Sequence, residues 1–172
     1  MSVSPLQSQV RANEECQSMQ LTDLLTIEAV VPSLKAGSKK QALQELSQVA
    51  ARITGLPARD IFETLLQREK LGSTGLGQGI AIPHGKMPDL DRLYAVFARA
   101  ETPIEFDSLD DQPVDLIFLL LAPESAGADH LKALARISRL LRDQVVVTKL
   151  RGSDNAEALY SILTEPAASH AA

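Results

Sequence analysis

The chain has 172 residues, 45% hydrophobic and 23% charged, which fits one globular domain able to bury most of its apolar surface without staples. Its formal net charge of −5 argues against a nucleic-acid partner, because phosphate backbones demand a basic surface. Cys16 stands alone, so an internal disulfide is excluded, and no apolar run is long enough to span a bilayer. No charged N-terminal region leads into an apolar stretch either, so a cytoplasmic protein without membrane insertion is expected.

In chain order, residues 1–20 are rich in Ser and Gln and have little apolar periodicity, which predicts a flexible tail. A helical turn at Leu21-Thr22-Asp23-Leu24-Leu25 opens an ordered domain expected over residues 21–165. Val30-Val31-Pro32-Ser33-Leu34 reads as a short strand whose proline places it at a sheet edge. Ser38, followed three residues later by Gln41, is a capping box. It opens a helix to about Ile53 that Gly55 stops. The apolar stripe of that helix is Leu43, Leu46, Val49, Ala50 and Ile53. A second helix begins near Pro57, turns Ile61, Leu65 and Leu66 inward, and ends at Gly72.

Strands are expected at Ile80–Ile82, Leu93–Ala100 and Val114–Ala122. The last is nearly all apolar and should be a central strand covered on both faces. Helices at about Ala128–Arg142, Val145–Leu150 and Ala156–Thr164 close the domain. Residues 166–172, with His170, read as a frayed, solvated end. The implied fold class is α/β, a mixed β-sheet sandwiched by helices.

The chemistry concentrates in Gly72-Ser73-Thr74-Gly75-Leu76-Gly77-Gln78-Gly79-Ile80-Ala81-Ile82-Pro83-His84-Gly85-Lys86. Four glycines in eight residues lead into a short strand that ends on a Pro-His-Gly corner, expected to pin the His84 ring in a tight turn. A stiffly held imidazole beside a loop rich in N–H groups suits a phosphoryl group or another anion. The loop is neither a Walker A motif nor a dinucleotide fingerprint, since Lys86 precedes Met87 and the glycines run into a strand. A plain glycine-dense connection is the bland alternative. Asp107, Asp110 and Asp111 cluster in a turn without His or Cys partners, so no metal site is expected. Lys132, Arg136, Arg139 and Arg142 make a basic helix face, either solvated or part of a docking surface for an acidic partner.

Around the loop, Arg68-Glu69-Lys70-Leu71-Gly72-Ser73-Thr74-Gly75 and Gly79-Ile80-Ala81-Ile82-Pro83-His84 resemble the active-site segment of the mannitol/fructose-class IIA proteins of the phosphotransferase system (the EIIA type-2 family). The likeness continues through Pro103-Ile104-Glu105-Phe106-Asp107 and Asp111-Gln112-Pro113-Val114-Asp115-Leu116 to His130-Leu131-Lys132-Ala133-Leu134. It extends from about Leu21 to Glu165, and the Phe106-to-Asp115 run is most similar to the nitrogen-regulatory branch. The resemblance implies that His84 is the phosphoacceptor, modified on its tele nitrogen. It implies that His130 bonds the phosphoryl oxygens or orients His84, and that Arg68 pairs with the phosphoryl charge. Ser73, Thr74 and Gly75 would add hydroxyl and amide donors, although simple turn chemistry accounts for them equally well.

The expected activity is that of a phosphotransferase component acting as a carrier, with no cofactor. Its donor would be a histidine-phosphorylated, HPr-like carrier protein of the nitrogen branch, and its outputs regulatory target proteins. The alternative within the family is a sugar-transport IIA component that passes phosphate to a fructose or mannitol IIB domain. A hydrolase or nucleotide-binding enzyme would need a nucleophile elbow, a Walker lysine or metal-ligand spacing, and the sequence has none of these. A pure binding module, never phosphorylated, is a further reading.

Overall fold

A computed structural model describes residues 19–166; the tail expected before residue 19, with Cys16, and residues 167–172, with His170, lie outside the described residues. Two single 3-10 turns, Leu21–Asp23 and Ile27–Ala29, lead into strand β1, Val30–Leu34. Helix α1, Lys39–Thr54, starts where the Ser38 side chain accepts the Gln41 N–H at 3.1 Å. The Gln41 side chain reaches back to the Gly37 N–H at 2.7 Å, one residue before the box partner expected from the sequence. Gly55 ends the helix in the left-handed conformation, φ 78°. Leu43, Leu46 and Ala50 of its stripe are fully buried.

Helix α2, Ala58–Leu71, follows Pro57 and buries Ile61, Leu65 and Glu69. The inward face therefore runs at i, i+4, i+8. Leu66, expected inside, is only half-buried, and the third inward position is a carboxylate. Beyond Gly72 come β2, Gly75–Gly77, and β3, Ile80–Ala81, an antiparallel hairpin, then β4, His84–Met87. β5, Tyr94–Ile104, and β6, Val114–Pro123, are the long strands. Helices α3, Gly127–Arg142, α4, Gln144–Arg151, and α5, Ala156–Thr164, complete the described chain.

The six strands make one mixed sheet in the order β1-β5-β6-β3-β2, with β4 also on β6. β1 is the expected edge strand and runs parallel to β5, while β5 and β6 are antiparallel. Every residue from Leu116 to Ala122 is fully buried, so both faces of β6 are covered.

β3 and β4 lie end to end along the second side of β6, both parallel to it. Ala81 pairs with Ile117 and His84 with Leu120, so the register passes unbroken through Ile82-Pro83. Pro83 cannot donate to a ladder, which interrupts the strand there, yet its carbonyl still accepts the Leu120 N–H at 2.9 Å. His84 therefore begins a strand anchored to the central β6, rather than sitting in the tight turn expected from Pro-His-Gly.

Candidate functional site

The break at Pro83 sets the His84 ring. The imidazole turns back on its own chain, and Nδ1 lies 2.8 Å from the Ile82 carbonyl oxygen. A carbonyl only accepts, so in the neutral ring the proton sits on Nδ1 and Nε2 presents a lone pair. Burial pushes the imidazole below its ordinary value of 6.5; the Ile82 hydrogen bond and the Glu69 charge oppose this, and the Arg68 charge adds to it. The ring is thus neutral and nucleophilic near pH 7.

His130 reaches the same place from the first turn of α3. Its helix buries His130, Ala133, Ile137 and Leu141 along one stripe, and the histidine lies at the stripe's N-terminal end. Leu134 is half-buried beside it. The rings of His84 and His130 have centroids 5.7 Å apart, inclined at 56°. His130 is 7% exposed, and its Nε2 is one of three buried side-chain polar atoms without a partner among the described residues. A buried, unpaired nitrogen costs about 1–3 kcal/mol. Its persistence beside His84 marks a place where a ligand atom would be welcome. Burial, followed by the charges of His84 and Lys86, lowers this imidazole also.

Arg68 stands in the last turn of α2 and donates from Nη1 to the Gly72 carbonyl at 2.9 Å, which holds its guanidinium over the start of the loop. Its neighbour Glu69 is buried. Ser73 donates its hydroxyl to the Phe106 carbonyl and accepts the Gly75 N–H at 3.0 Å. Thr74 gives both its hydroxyl and its N–H to Glu69. The hydroxyl protons of Ser73 and Thr74 are thus committed within the protein. Gly75 packs so closely on Ser108 that a Cβ would overlap the serine side chain. The structure sets the His84 and His130 rings side by side with the Arg68 charge acting on His84, while Ser73, Thr74 and Gly75 bond within the protein.

The far end of the β2–β3 hairpin is clamped. Gly77, Gln78 and Gly79 all have positive φ. Arg151 grips Asp115 in a bidentate pair, 2.8 and 2.9 Å, and donates to the Gln78 carbonyl at 2.7 Å. Asp110 accepts the Gln78 and Gln112 N–H groups, which hold its carboxyl below the usual range. Among the described residues, no three of His, Cys, Asp and Glu come together to hold a metal ion. Leu71, the last residue of α2, and Leu131, next to His130 on α3, are exposed at 85% and 67%.

Three comparisons bear on this geometry. Residues 23–165 match the family model described as phosphoenolpyruvate-dependent sugar phosphotransferase system, EIIA 2. A nitrogen regulatory protein of Bradyrhizobium diazoefficiens is 61% identical over 153 residues, 89% of this chain and 100% of that one. The crystal structure of nitrogen regulatory protein IIA-Ntr from Neisseria meningitidis superposes with a TM-score of 0.80 at 38% identity, covering 84% of this chain and 99% of that one. At 20% identity and a TM-score of 0.70, covering 83% and 98% of the two chains, the fold is also that of Escherichia coli IIA mannitol in its complex with phosphorylated IIB mannitol.

Proposed function

The chain belongs to the EIIA 2 family of the phosphoenolpyruvate-dependent sugar phosphotransferase system, and from that premise we propose that it is a phosphohistidine carrier of the nitrogen-regulatory branch. The observation that carries the reading is the His84 ring, with its proton tied to Ile82 and Nε2 free, 5.7 Å from a buried His130 ring whose Nε2 has no partner.

In the proposed step, Nε2 of His84 attacks the phosphorus of a phosphohistidine on an HPr-like donor. The new N–P bond forms as the donor's N–P bond breaks, and that electron pair returns to the donor imidazole. No proton has to leave His84, because the attacking nitrogen carries none. Nδ1 keeps its proton on the Ile82 carbonyl, which steadies the positive charge the ring acquires. Arg68 offers a charged fork to the phosphoryl oxygens, and the orphaned His130 Nε2–H donates to one of them. Ser73, Thr74 and Gly75 hold the loop in shape. Positioning and charge, more than covalent help, are what phosphoryl transfer needs.

The carrier unit is residues 21–165. It works in the cytoplasm, in keeping with described helices too short or too polar to cross a membrane. Phosphorylation adds negative charge beside the exposed Leu71 and Leu131, which changes what docks there. Regulatory proteins are the proposed readers of that state. The similarity to nitrogen regulatory proteins supports this over sugar transport, for which phosphate would pass to a IIB domain.

The test is intact mass after incubation with phosphoenolpyruvate and the purified upstream carriers, wild type beside His84→Ala. One acid-labile phosphoryl group on the wild type and none on the variant is expected. A phosphorylated variant would remove His84 from its role. Rapid loss of the label to fructose or mannitol IIB domains would favour transport.

A further inference from the structure

Glu69 is the only acidic side chain buried among the described residues, at 8% exposure. A buried carboxylate is costly unless it is paired and hydrogen-bonded, so its partners show what it organises. The first partner is Lys39, at the start of α1, whose Nζ lies 3.2 Å from Oε2 and 3.4 Å from the exposed Asp107. The second is Thr74, which gives Glu69 its N–H at 3.3 Å and its hydroxyl.

From Thr74 the line runs on to the reacting ring. The Thr74 carbonyl accepts the Ile82 N–H at 3.1 Å, and the Ile82 carbonyl accepts the His84 Nδ1–H at 2.8 Å. Thr74 and Ile82 are therefore each pinned at both backbone polar groups. Ile82 also precedes a proline, which confines it to extended conformations and fixes the direction of its carbonyl. Along this line the buried carboxylate is the anchor and the phosphoacceptor ring is the free end.

We propose that Glu69 is a positioning residue for phosphoryl transfer: through Thr74 and Ile82 it holds the His84 ring with its proton on Nδ1 and Nε2 open. This inference deepens the carrier reading above and rests on it. The role explains why a negative charge sits buried beside a site built for a dianion. What Glu69 costs in repulsion it returns in ring orientation, while Arg68, the residue before it on the helix, supplies the opposing charge.

The experiment uses the full chain carrying Glu69→Gln. The 15N shifts of the His84 ring nitrogens report the tautomer without any donor present. Wild type is expected to hold the proton on Nδ1. In the variant, the weakened anchor lets the proton redistribute between the two nitrogens. The rate of phosphoryl acceptance should fall by up to about 10- to 100-fold, the range lost when the group orienting a metal-bound histidine is removed. An unchanged circular dichroism spectrum establishes that the variant is folded.

A folded variant with the wild-type tautomer and rate would overturn the proposal. Should Glu69→Gln fail to fold, Thr74→Val, which removes one hydroxyl and keeps the shape, decides instead. A shifted tautomer supports the proposal and an unshifted one overturns it. Failure of the wild type to accept phosphate would refute the carrier reading, whereas the tautomer measurement still decides the role of Glu69.

Discussion

Replacing Gly79 by alanine tests how the loop is held. Gly79 has φ +81°, and a Cβ there would lie 2.5 Å from Arg151 Nη2 and 2.7 Å from Asp115 Oδ1. The left-handed backbone alone costs an alanine about 1–2 kcal/mol. The methyl must also displace the Arg151–Asp115 pair, whose two contacts are 2.8 and 2.9 Å, together with the 2.7 Å bond from Arg151 to the Gln78 carbonyl. The pair is partly exposed, so its loss adds no more than about 1 kcal/mol. The backbone bond adds about 1 kcal/mol more. Gly79→Ala should therefore destabilise by about 2–4 kcal/mol in urea unfolding followed by circular dichroism, with the slope unchanged. Because both changes disturb the same clamp, Gly79→Ala with Arg151→Ala should cost less than the two single changes added together. A loss below about 0.5 kcal/mol, or strict additivity, would refute the reasoning, since a surface change that touches nothing special costs about that little.

Other expectations concern the two histidines and the arginine. Burial holds both imidazoles below 6.5, so as pH falls past that value the unfolded chain binds protons before the folded one. Stability should accordingly be full above 6.5 and decline below it, and His130→Leu should flatten part of the decline. Urea midpoints across roughly pH 5 to 8 read this directly, and identical slopes for the two proteins would refute it. Arg68→Ala should slow phosphoryl acceptance about a hundredfold, and Arg68→Lys should recover only part, because a point charge lacks the guanidinium fork. A wild-type rate in Arg68→Ala would place that side chain outside the site. His130→Ala should slow transfer or shorten the life of the phosphorylated form while leaving the acceptor in place; unchanged rates would make His130 a purely structural residue.

The helices were legible because their ends carry local chemistry. Ser38 and Gly55 bracket α1 to within a residue, and the unbroken apolar run after Val114 could only be a strand covered on both faces. β2 and β4 were not legible. At three and four residues, with three glycines between them, they have no alternation to read, and they exist because β6 and the hairpin supply partners. The Pro83-His84-Gly85 sequence looks like a turn, yet the register with β6 carries straight through it. Long-range pairing overrode the local signal.

The site was legible in part. His84 stands out at its Pro-His-Gly corner, whereas His130 and Arg68 were singled out by the family resemblance alone; the fold sets the His130 ring 5.7 Å from that of His84. Glu69 was hidden inside Arg68-Glu69-Lys70, which reads as a solvated charge run. The available signal was its spacing, since Ile61, Leu65 and Glu69 share one helix face and the first two are fully buried. No pattern of spacing reveals that the Ser73 and Thr74 hydroxyls turn inward, because their partners Phe106 and Glu69 come from other elements.

The most direct measurement is the 15N–31P coupling of the phosphorylated protein, labelled at histidine and charged from phosphoenolpyruvate through the upstream carriers. Phosphorus coupled to Nε2 of His84, with the proton retained on Nδ1, is the expected result. Phosphorus on Nδ1 of His84, or on any other residue, would contradict the geometry from which the function was argued.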